Sequence, residues 1–186
     1  MEIIFITGNE DKFKEFQKMI SFKIDRQKID LPELQGDPED IVKEKAKLAC
    51  QIVNKPCFVD DTSLCFNEWD GLPGPYIKHF LDKMGEEKLA KSFLLSSENK
   101  SAKAITSIGY CEPGEEPICV QGIIEGEITL PKGNGGFKKG WSSIFIPNGT
   151  NKTYAEMSLD EKIPYSQRNL AIKEFEKFLE GKIKKQ

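Results

Sequence analysis

The segment that most constrains the fold is at the start of the chain, where four apolar residues precede a glycine turn. Ile3–Ile6 leads into residues 7–9, and apolar residues then recur with helical spacing over residues 13–20. An uninterrupted apolar run is typical of a parallel strand that is covered on both faces. The pattern predicts a buried strand, a tight turn and a helix, an arrangement that points backbone N–H groups at a phosphate.

The turn after this strand has two interpretations. Thr7 and Asn9 supply a hydroxyl and an amide that can donate to a phosphate, and Gly8 lets a ligand approach the backbone closely. A strand, a glycine turn and a helix also open many α/β proteins that bind nothing there. The turn therefore predicts a phosphate site only together with other evidence.

Two adjacent carboxylates follow a second apolar run. Residues 57–59 are predicted to form a strand that ends at Asp60 and Asp61, and a rigid Gly-Pro loop follows at residues 71–75. Oxygen ligands at a strand end can bind a hard cation and hold a water for in-line attack on phosphorus. Capping of the next element would explain one acidic residue but not two, so we favour a site over a cap.

Composition limits the class of protein. The length of 186 residues fits one domain, residues 1–186, and no apolar stretch approaches the roughly 20 residues that span a bilayer. A formal net charge of −3 argues against a general nucleic-acid binder, so an anionic substrate has to meet a local group of lysines. We therefore expect a small-molecule partner, and neither nucleic acid nor a membrane.

The cysteines indicate the cellular compartment. They are odd in number and form no C-x-x-C pair, and Met1 stands directly before the first strand without a signal peptide. The five cysteines are Cys50, Cys57, Cys65, Cys111 and Cys119. This pattern predicts a reducing cytosol and hence a cytoplasmic protein. The single histidine, His79, cannot build a zinc cluster and is predicted to be an ordinary helix residue.

Periodic patterns predict the other elements. They are a strand at residues 22–29, helices at residues 38–53, 76–84, 86–95 and 166–179, and an antiparallel hairpin at residues 102–111 and 118–130. Lys45 is expected on a solvent-accessible turn of the second helix, and Gly122 and Gly126 at bends or bulges of the hairpin. The residues expected on the buried face of the second helix are Ile41, Ala46, Leu48, Ala49 and Ile52. This order of elements predicts an α/β fold, with an elongated mixed sheet flanked by helices and two lobes with a nucleotide cleft between them.

Several blocks of sequence, taken in order, resemble the inosine triphosphate pyrophosphatase family, and the residues in these blocks are similar to those of its eukaryotic branch. The blocks are residues 5–9, 28–36, 61–66, 71–78, 153–157 and 166–168. That family hydrolyses non-canonical purine nucleoside triphosphates (ITP, dITP and XTP) to the monophosphate and pyrophosphate. The resemblance implies the same activity here, with Mg²⁺ as cofactor and Mn²⁺ as the alternative, the same architecture and a homodimer.

The resemblance also implies roles for individual residues. Glu33 and Asp61 would bind the metal, Asp61 would orient or deprotonate the attacking water, and Lys45 would reach the phosphates. Asp60 would be a neighbouring ligand or an electrostatic partner, and which of the two carboxylates is the principal base stays open. The residues implied to bind substrate are Thr7, Gly8, Asn9, Lys12, Lys45, Asp61, Thr62, Lys78, Lys139, Gly140, Trp141, Ser142, Lys162, Gln167 and Arg168.

The base pocket departs from the family pattern. The family has Phe-Gly-Trp-Asp where this chain has residues 139–142, which read Lys-Gly-Trp-Ser, and it has Ser-His-Arg where this chain has Ser-Gln-Arg at residues 166–168. The amide of Gln167 can still donate to a keto oxygen, and Phe137 is close enough in sequence to supply a stacking ring. The preferred base therefore stays open. Two alternatives remain, a nucleotide binder that hydrolyses weakly and a pyrophosphatase for modified pyrimidine or other damaged nucleotides.

Overall fold

The computed structural model describes residues 3–133 and 140–184, which form a mixed α/β fold. The strands are β1 (Ile3–Ile6), β2 (Ile24–Gln27), β3 (Cys57–Phe66), β4 (Pro73–Gly74), β5 (Ser101–Cys111), β6 (Ile118–Ile128) and β7 (Phe145–Pro147). The α-helices are α1 (Glu10–Met19), α2 (Pro38–Val53), α3 (Ile77–Ser96), α4 (Leu159–Lys162) and α5 (Gln167–Ile183). Within these described ranges, no helix is long and apolar enough to cross a membrane.

The strands pair in the order β2-β1-β3-β5-β6-β7, and β4 pairs with β3. β1 is parallel to both β2 and β3, whereas β4 runs antiparallel to β3 and β7 runs antiparallel to β6. The predicted α/β class and mixed sheet are therefore confirmed.

The described residues divide into two compact units. The first comprises residues 3–61, 106–122 and 168–184, and the second comprises residues 62–105, 123–133 and 140–167. The two units agree with the two predicted lobes. The elongated shape, the nucleotide cleft and the assignment of residues 1–186 to one domain stay predictions.

Stacked aromatic rings form the centre of the first unit. Phe5 of β1 stacks on Phe58 of β3 with ring centroids 4.5 Å apart and an interplanar angle of 4°. Phe16 of α1 lies 4.5 Å from Phe5, and Phe175 of α5 lies 5.2 Å from Phe58. These contacts join two strands to two helices, so they fix the turn that follows β1 and the polar residues that follow Phe58.

The course of β3 corrects one prediction. The strand does not end at residue 59 but continues through Asp60 and Asp61 to Phe66. β4 provides the reason, since Leu64 and Cys65 pair with Gly74 and Pro73 and extend the strand beyond the carboxylates. The carboxylates therefore lie inside a strand, and the capping interpretation is wrong.

Helix α2 has the predicted bounds, but its buried face differs from the expected one. Ile52 is 62% exposed, whereas Ala46 and Ala49 are buried as expected. The side chain of Lys45 is only 14% exposed, so the prediction of a solvent-accessible turn is wrong. Lys45 lies four residues from both Ile41 and Ala49, and residues four apart share one face of a helix. That face borders the core, which is why the lysine is largely covered.

The other predicted elements are present with small changes. The two predicted helices at residues 76–84 and 86–95 are joined in α3, which bends at Gly85 with φ 75°. β2 is shorter than the predicted strand, and β5 and β6 are long neighbouring strands, as expected. The last helix begins at Gln167, one residue after the predicted start.

Candidate functional site

The turn after β1 forms a helix cap. The Asn9 side-chain oxygen accepts a hydrogen bond from the backbone N–H of Lys12 at 3.0 Å, and Asn9 is the N-cap of α1. The Thr7 hydroxyl oxygen accepts from the backbone N–H of Asn9 at 3.1 Å. A Cβ on Gly8 would meet only the Lys28 side chain, at 3.5 Å, which is ordinary contact. Both polar side chains thus have a structural role, and their predicted contacts with phosphate stay predictions.

Asp60 is enclosed by two cations. Its side chain is 1% exposed, and Lys12 Nζ lies 3.1 Å from Oδ1. Arg168 Nη2 lies 3.5 Å from Oδ2. Arg168, at the start of α5, also forms an ion pair with Glu15 of α1. The result is a chain of alternating charges that links Glu15, Arg168, Asp60 and Lys12 within the first unit.

Glu15 is a member of this chain that sequence reasoning missed. It is buried although it lies in a strongly charged helix, and its partner is 153 residues away in the sequence. The one indication of this role in the sequence was its position three residues after Lys12, because residues three apart lie next to each other on the surface of a helix. Burial alone would lower the pKa of Arg168, but the charges of Glu15 and Asp60 raise it, so the guanidinium stays protonated. The role of Arg168 as a substrate ligand stays a prediction.

Lys45 forms a second cluster with two predicted metal ligands. Its Nζ lies 3.3 Å from Glu33 Oε2 and 3.3 Å from Asp61 Oδ2. Partial burial lowers the pKa of Lys45, but the nearby Asp61 and Glu33 charges outweigh it and raise the pKa above its ordinary value. The structure thus brings together the two residues predicted to be catalytic and both residues predicted to bind metal.

The adjacent carboxylates of β3 differ in accessibility. Successive side chains of a strand point to opposite faces. Asp60 faces the buried ion pairs, whereas the Asp61 side chain is 26% exposed beside Lys45. Only Asp61 therefore combines a charged neighbour with access to solvent, and this favours Asp61 over Asp60 as the group that meets a water molecule.

The carboxylates of this cluster fit a cation that is shared with a substrate. Among residues 3–133 and 140–184, no group of three His, Cys, Asp or Glu side chains could hold a metal ion. Glu33 and Asp61 supply two carboxylates, and the Glu33 side chain is 86% exposed. Mg²⁺ is usually bound by one or two carboxylates together with substrate phosphates and water. The two residues match that pattern.

In the second unit, several predicted ligands surround Tyr154. This residue is fully buried, and its ring lies 5.7 Å from that of Trp141. Lys162 Nζ lies 5.1 Å from the centroid of the same ring, and the Tyr154 hydroxyl contacts Gln167 Oε1 at 3.0 Å. Tyr154 therefore organises Trp141, Lys162 and Gln167, a role that was not predicted. The signal was its place in one of the blocks that carry the family resemblance.

The remaining predicted ligands are less closely grouped. Lys78 is exposed in the first turn of α3, and Thr62 directly follows Asp61 on β3. Gly140 and Ser142 are half-buried, and the neighbouring Ser143 donates to Glu86 Oε2 at 2.8 Å. The predicted ligand Lys139 and the alternative stacking ring of Phe137 lie outside the described residues.

Comparison with known proteins places the chain in a family. The Ham1 family profile matches residues 3–178. The inosine triphosphate pyrophosphatase of Puccinia graminis f. sp. tritici is 40% identical over 182 residues, covering 92% of this chain and 93% of the relative. The protein of the same name from Pyricularia oryzae is 43% identical over 175 residues, covering 92% and 90%.

A solved structure gives the same result. The Staphylococcus aureus Ham1 protein superposes with a TM-score of 0.83 at 26% identity, over 98% of this chain and all of the other. The fold and the sequence thus agree along almost the whole length. This chain belongs to the Ham1 family.

Proposed function

We propose that this protein hydrolyses the non-canonical purine nucleoside triphosphates ITP, dITP and XTP to the monophosphate and pyrophosphate. It is then a hydrolase of nucleotide metabolism that acts on acid anhydrides, with Mg²⁺ as cofactor and Mn²⁺ as the alternative. The observation that carries the proposal is the family membership, since relatives with 40% and 43% identity over nearly the whole chain are named inosine triphosphate pyrophosphatase. The geometry of the first unit supports it.

The lysines of the first unit suit the phosphate end of such a substrate. Lys12 and Lys45 each pair with a carboxylate of β3, so each ammonium is held next to the candidate reaction centre. Lysine is a compact charge on a flexible stem, so it can turn from a carboxylate to a phosphate oxygen. In the transition state of phosphoryl transfer, charge is spread over the phosphoryl oxygens, and nearby cations stabilise it. We assign this role to Lys12 and Lys45.

Asp61 is our candidate for the general base. In the proposed reaction, Asp61 accepts a proton from a water molecule whose oxygen forms a bond to the α-phosphorus, while the bond to the bridging oxygen of pyrophosphate breaks. Mg²⁺, when bound by Glu33 and Asp61, supplies positive charge against the phosphates and lowers the pKa of coordinated water. Asp60 is then a positioning residue, because its two oxygens contact Lys12 and Arg168.

A relaxed base preference is the second candidate function. The aspartate and the histidine of the family pattern are replaced by Ser142 and Gln167. Serine carries no charge, and a glutamine amide has both a donor end and an acceptor end. Contact of that amide with the Tyr154 hydroxyl at 3.0 Å supports a base-reading group that differs from a histidine.

We also propose that the protein is cytoplasmic and forms a homodimer. All five cysteines are free thiols, which is typical of a reducing compartment.

The dimer follows from the family resemblance alone. Light scattering coupled to size-exclusion chromatography tests it directly, and a mass near 21.1 kDa, that of one chain, would contradict it.

The decisive experiment measures pyrophosphate release from ITP, XTP, dITP, GTP, ATP and modified pyrimidine triphosphates. We expect the inosine and xanthosine nucleotides to be hydrolysed at rates well above those of the pyrimidine set.

Exhaustive chelation should abolish turnover and added Mg²⁺ should restore it, because a polyanion needs a cation at its phosphates. Binding without pyrophosphate release would favour the weakly hydrolysing binder, and turnover after chelation would contradict the metal requirement.

A further inference from the structure

The Lys45 ammonium stands between the two carboxylates that fit a metal ion. Its Nζ is 3.3 Å from an oxygen of Glu33 and 3.3 Å from an oxygen of Asp61. Those two oxygens are therefore at most twice 3.3 Å apart and share one positive charge. The lysine side chain is mostly covered, so the protein, more than water, keeps the ammonium in this place.

A metal ion that bridges Glu33 and Asp61 would need the position that the Lys45 ammonium occupies. Mg²⁺ lies about 2.0–2.1 Å from each ligand oxygen, so an ion bound to both carboxylates has to lie between them. The ammonium already occupies the space between these oxygens. Two positive charges a few ångströms apart repel each other strongly in a partly covered site. The ammonium and the metal ion cannot both bridge the same pair of carboxylates.

We propose that Lys45 is a placeholder for the cation, and that the metal ion enters the site only together with the triphosphate. In the nucleotide-free protein the ammonium offsets part of the negative charge of Glu33 and Asp61. A triphosphate offers new acceptors to the ammonium and additional oxygen ligands to the cation at the same moment. No charge is left without a partner in either state, so the exchange avoids a buried unpaired ion. This inference rests on the proposed function, because the triphosphate is what removes Lys45.

Calorimetric titration with Mg²⁺ alone, without nucleotide, tests the placeholder role. Lys45→Met keeps an unbranched side chain of similar length but removes the charge, so it should bind Mg²⁺ roughly tenfold more tightly than the wild type, or better. The matched control is Lys47→Met, two residues further along α2, where the lysine pairs with Glu116 at 3.4 Å. This control should bind Mg²⁺ as the wild type does. An equal affinity in Lys45→Met and wild type would overturn the proposal.

A second measurement uses the wild-type protein and does not depend on any variant. Mg²⁺ is titrated with and without a non-hydrolysable analogue of ITP, and the heat of Mg²⁺ binding to the analogue in buffer is subtracted. We expect the protein to saturate at a much lower Mg²⁺ concentration when the analogue is present. Saturation by Mg²⁺ alone, at the concentration that suffices with the analogue, would overturn the proposal. Neither titration uses turnover. Failure of hydrolysis would therefore contradict the proposed function and leave the gain in Lys45→Met as a separate result.

Discussion

At the residue scale, Asp60 and Asp61 show how strand geometry gives neighbouring side chains different tasks. They are adjacent on β3 and point to opposite faces. Asp60 is enclosed by Lys12 and Arg168, so a substitution there would remove a counter-charge from the covered guanidinium of Arg168 and from Lys12. Asp61 is more accessible and lies beside Lys45. Substitution of Asp61 should therefore lower catalytic activity, whereas substitution of Asp60 should lower stability.

The first prediction concerns Asp61→Asn. We expect kcat to fall by about 10²-fold or more, because loss of a general base removes a contribution of that size. Folding should be almost unaffected, and steady-state pyrophosphate release together with circular dichroism measures both. Asp25→Asn, at an exposed position of β2, is the matched control and should keep the wild-type rate. A folded Asp61→Asn variant with near-wild-type kcat would move the role to Asp60 or to another group.

Gln167 is the second informative residue. The neighbouring Tyr154 hydroxyl has one proton and lies near two hydrogen-bond acceptors. The Tyr154 hydroxyl lies 2.6 Å from the Tyr165 carbonyl oxygen and 3.0 Å from Gln167 Oε1. A hydroxyl donates one hydrogen bond at a time. When it donates to Tyr165, the Gln167 amide gains by turning its NH₂ group towards the hydroxyl oxygen. If Gln167 is a base ligand as proposed, its amide has either a donor or an acceptor to offer.

The second prediction follows from this dual character. The wild type should discriminate ITP from ATP weakly, and Ser142→Asp combined with Gln167→His should raise the ITP/ATP ratio of kcat/KM. A hydrogen bond that leaves a buried group unpaired when lost is worth about 1–3 kcal/mol, which corresponds to roughly a ten- to hundredfold change in the ratio. Ser142→Asn with Gln167→Asn is the control without added charge or ring. An unchanged ratio would mean that other residues read the base.

At the element scale, β6 and β7 pair so closely that one position requires glycine. Gly126 of β6 pairs with Pro147 of β7. A Cβ on Gly126 would lie 2.2 Å from the Ile146 carbonyl oxygen and 2.6 Å from Phe145 Cζ. Real Cβ atoms do not approach backbone oxygen this closely, so the strand would have to move. Gly126 therefore allows β7 to pack against β6, and its expected place at a bend or bulge of the hairpin stays a prediction.

The third prediction uses two glycines with opposite expected effects. Gly126→Ala should lower the free energy of unfolding by about 1–3 kcal/mol, the cost of overpacking. Gly181→Ala should raise it by roughly 0.5–1 kcal/mol, because Gly181 lies in α5 with nothing within 4 Å of an added Cβ. Urea denaturation measures both values. A Gly126→Ala variant as stable as the wild type would contradict the close pairing of β6 with β7.

At the scale of the whole molecule, the first compact unit is assembled from three separate segments of the chain. Its core shows why this matters. Phe58 comes from the first segment, Tyr110 from the second and Phe175 from the third, and the Phe175 ring lies 5.2 Å from Phe58 and 5.4 Å from Tyr110. The first segment by itself cannot cover its own aromatic side chains.

The fourth prediction is that residues 1–61 do not fold when they are produced alone. Without α5, the ring of Phe58 loses the apolar surface that Phe175 provides, and a chain of about 60 residues buries only a marginal amount of surface. Far-UV circular dichroism and the dispersion of proton NMR signals distinguish the outcomes, with the full chain as the control. A dispersed, native-like spectrum of the fragment would show that this core does not need the third segment.

Features that depend on a local pattern could be predicted from the order of amino acids alone. β1 follows from one apolar run, and the bounds of α2 follow from Pro38 at its first turn and from helical spacing up to Val53. The acidic pair and the blocks that resemble the family are likewise contiguous in the chain. These features need no information about distant residues, so the sequence was sufficient for them.

The pairing of charged side chains depends on how the chain folds and could not be predicted from local patterns. Glu15 pairs with Arg168 across 153 residues, and Lys45 joins Glu33 to Asp61 because α2 packs that face against the core. The extension of β3 beyond the acidic pair depends on β4. Burial and ion pairing are set by residues that are remote in sequence, and a local pattern carries no record of them. The separate surroundings of Asp60 and Asp61 therefore became visible only in the folded chain.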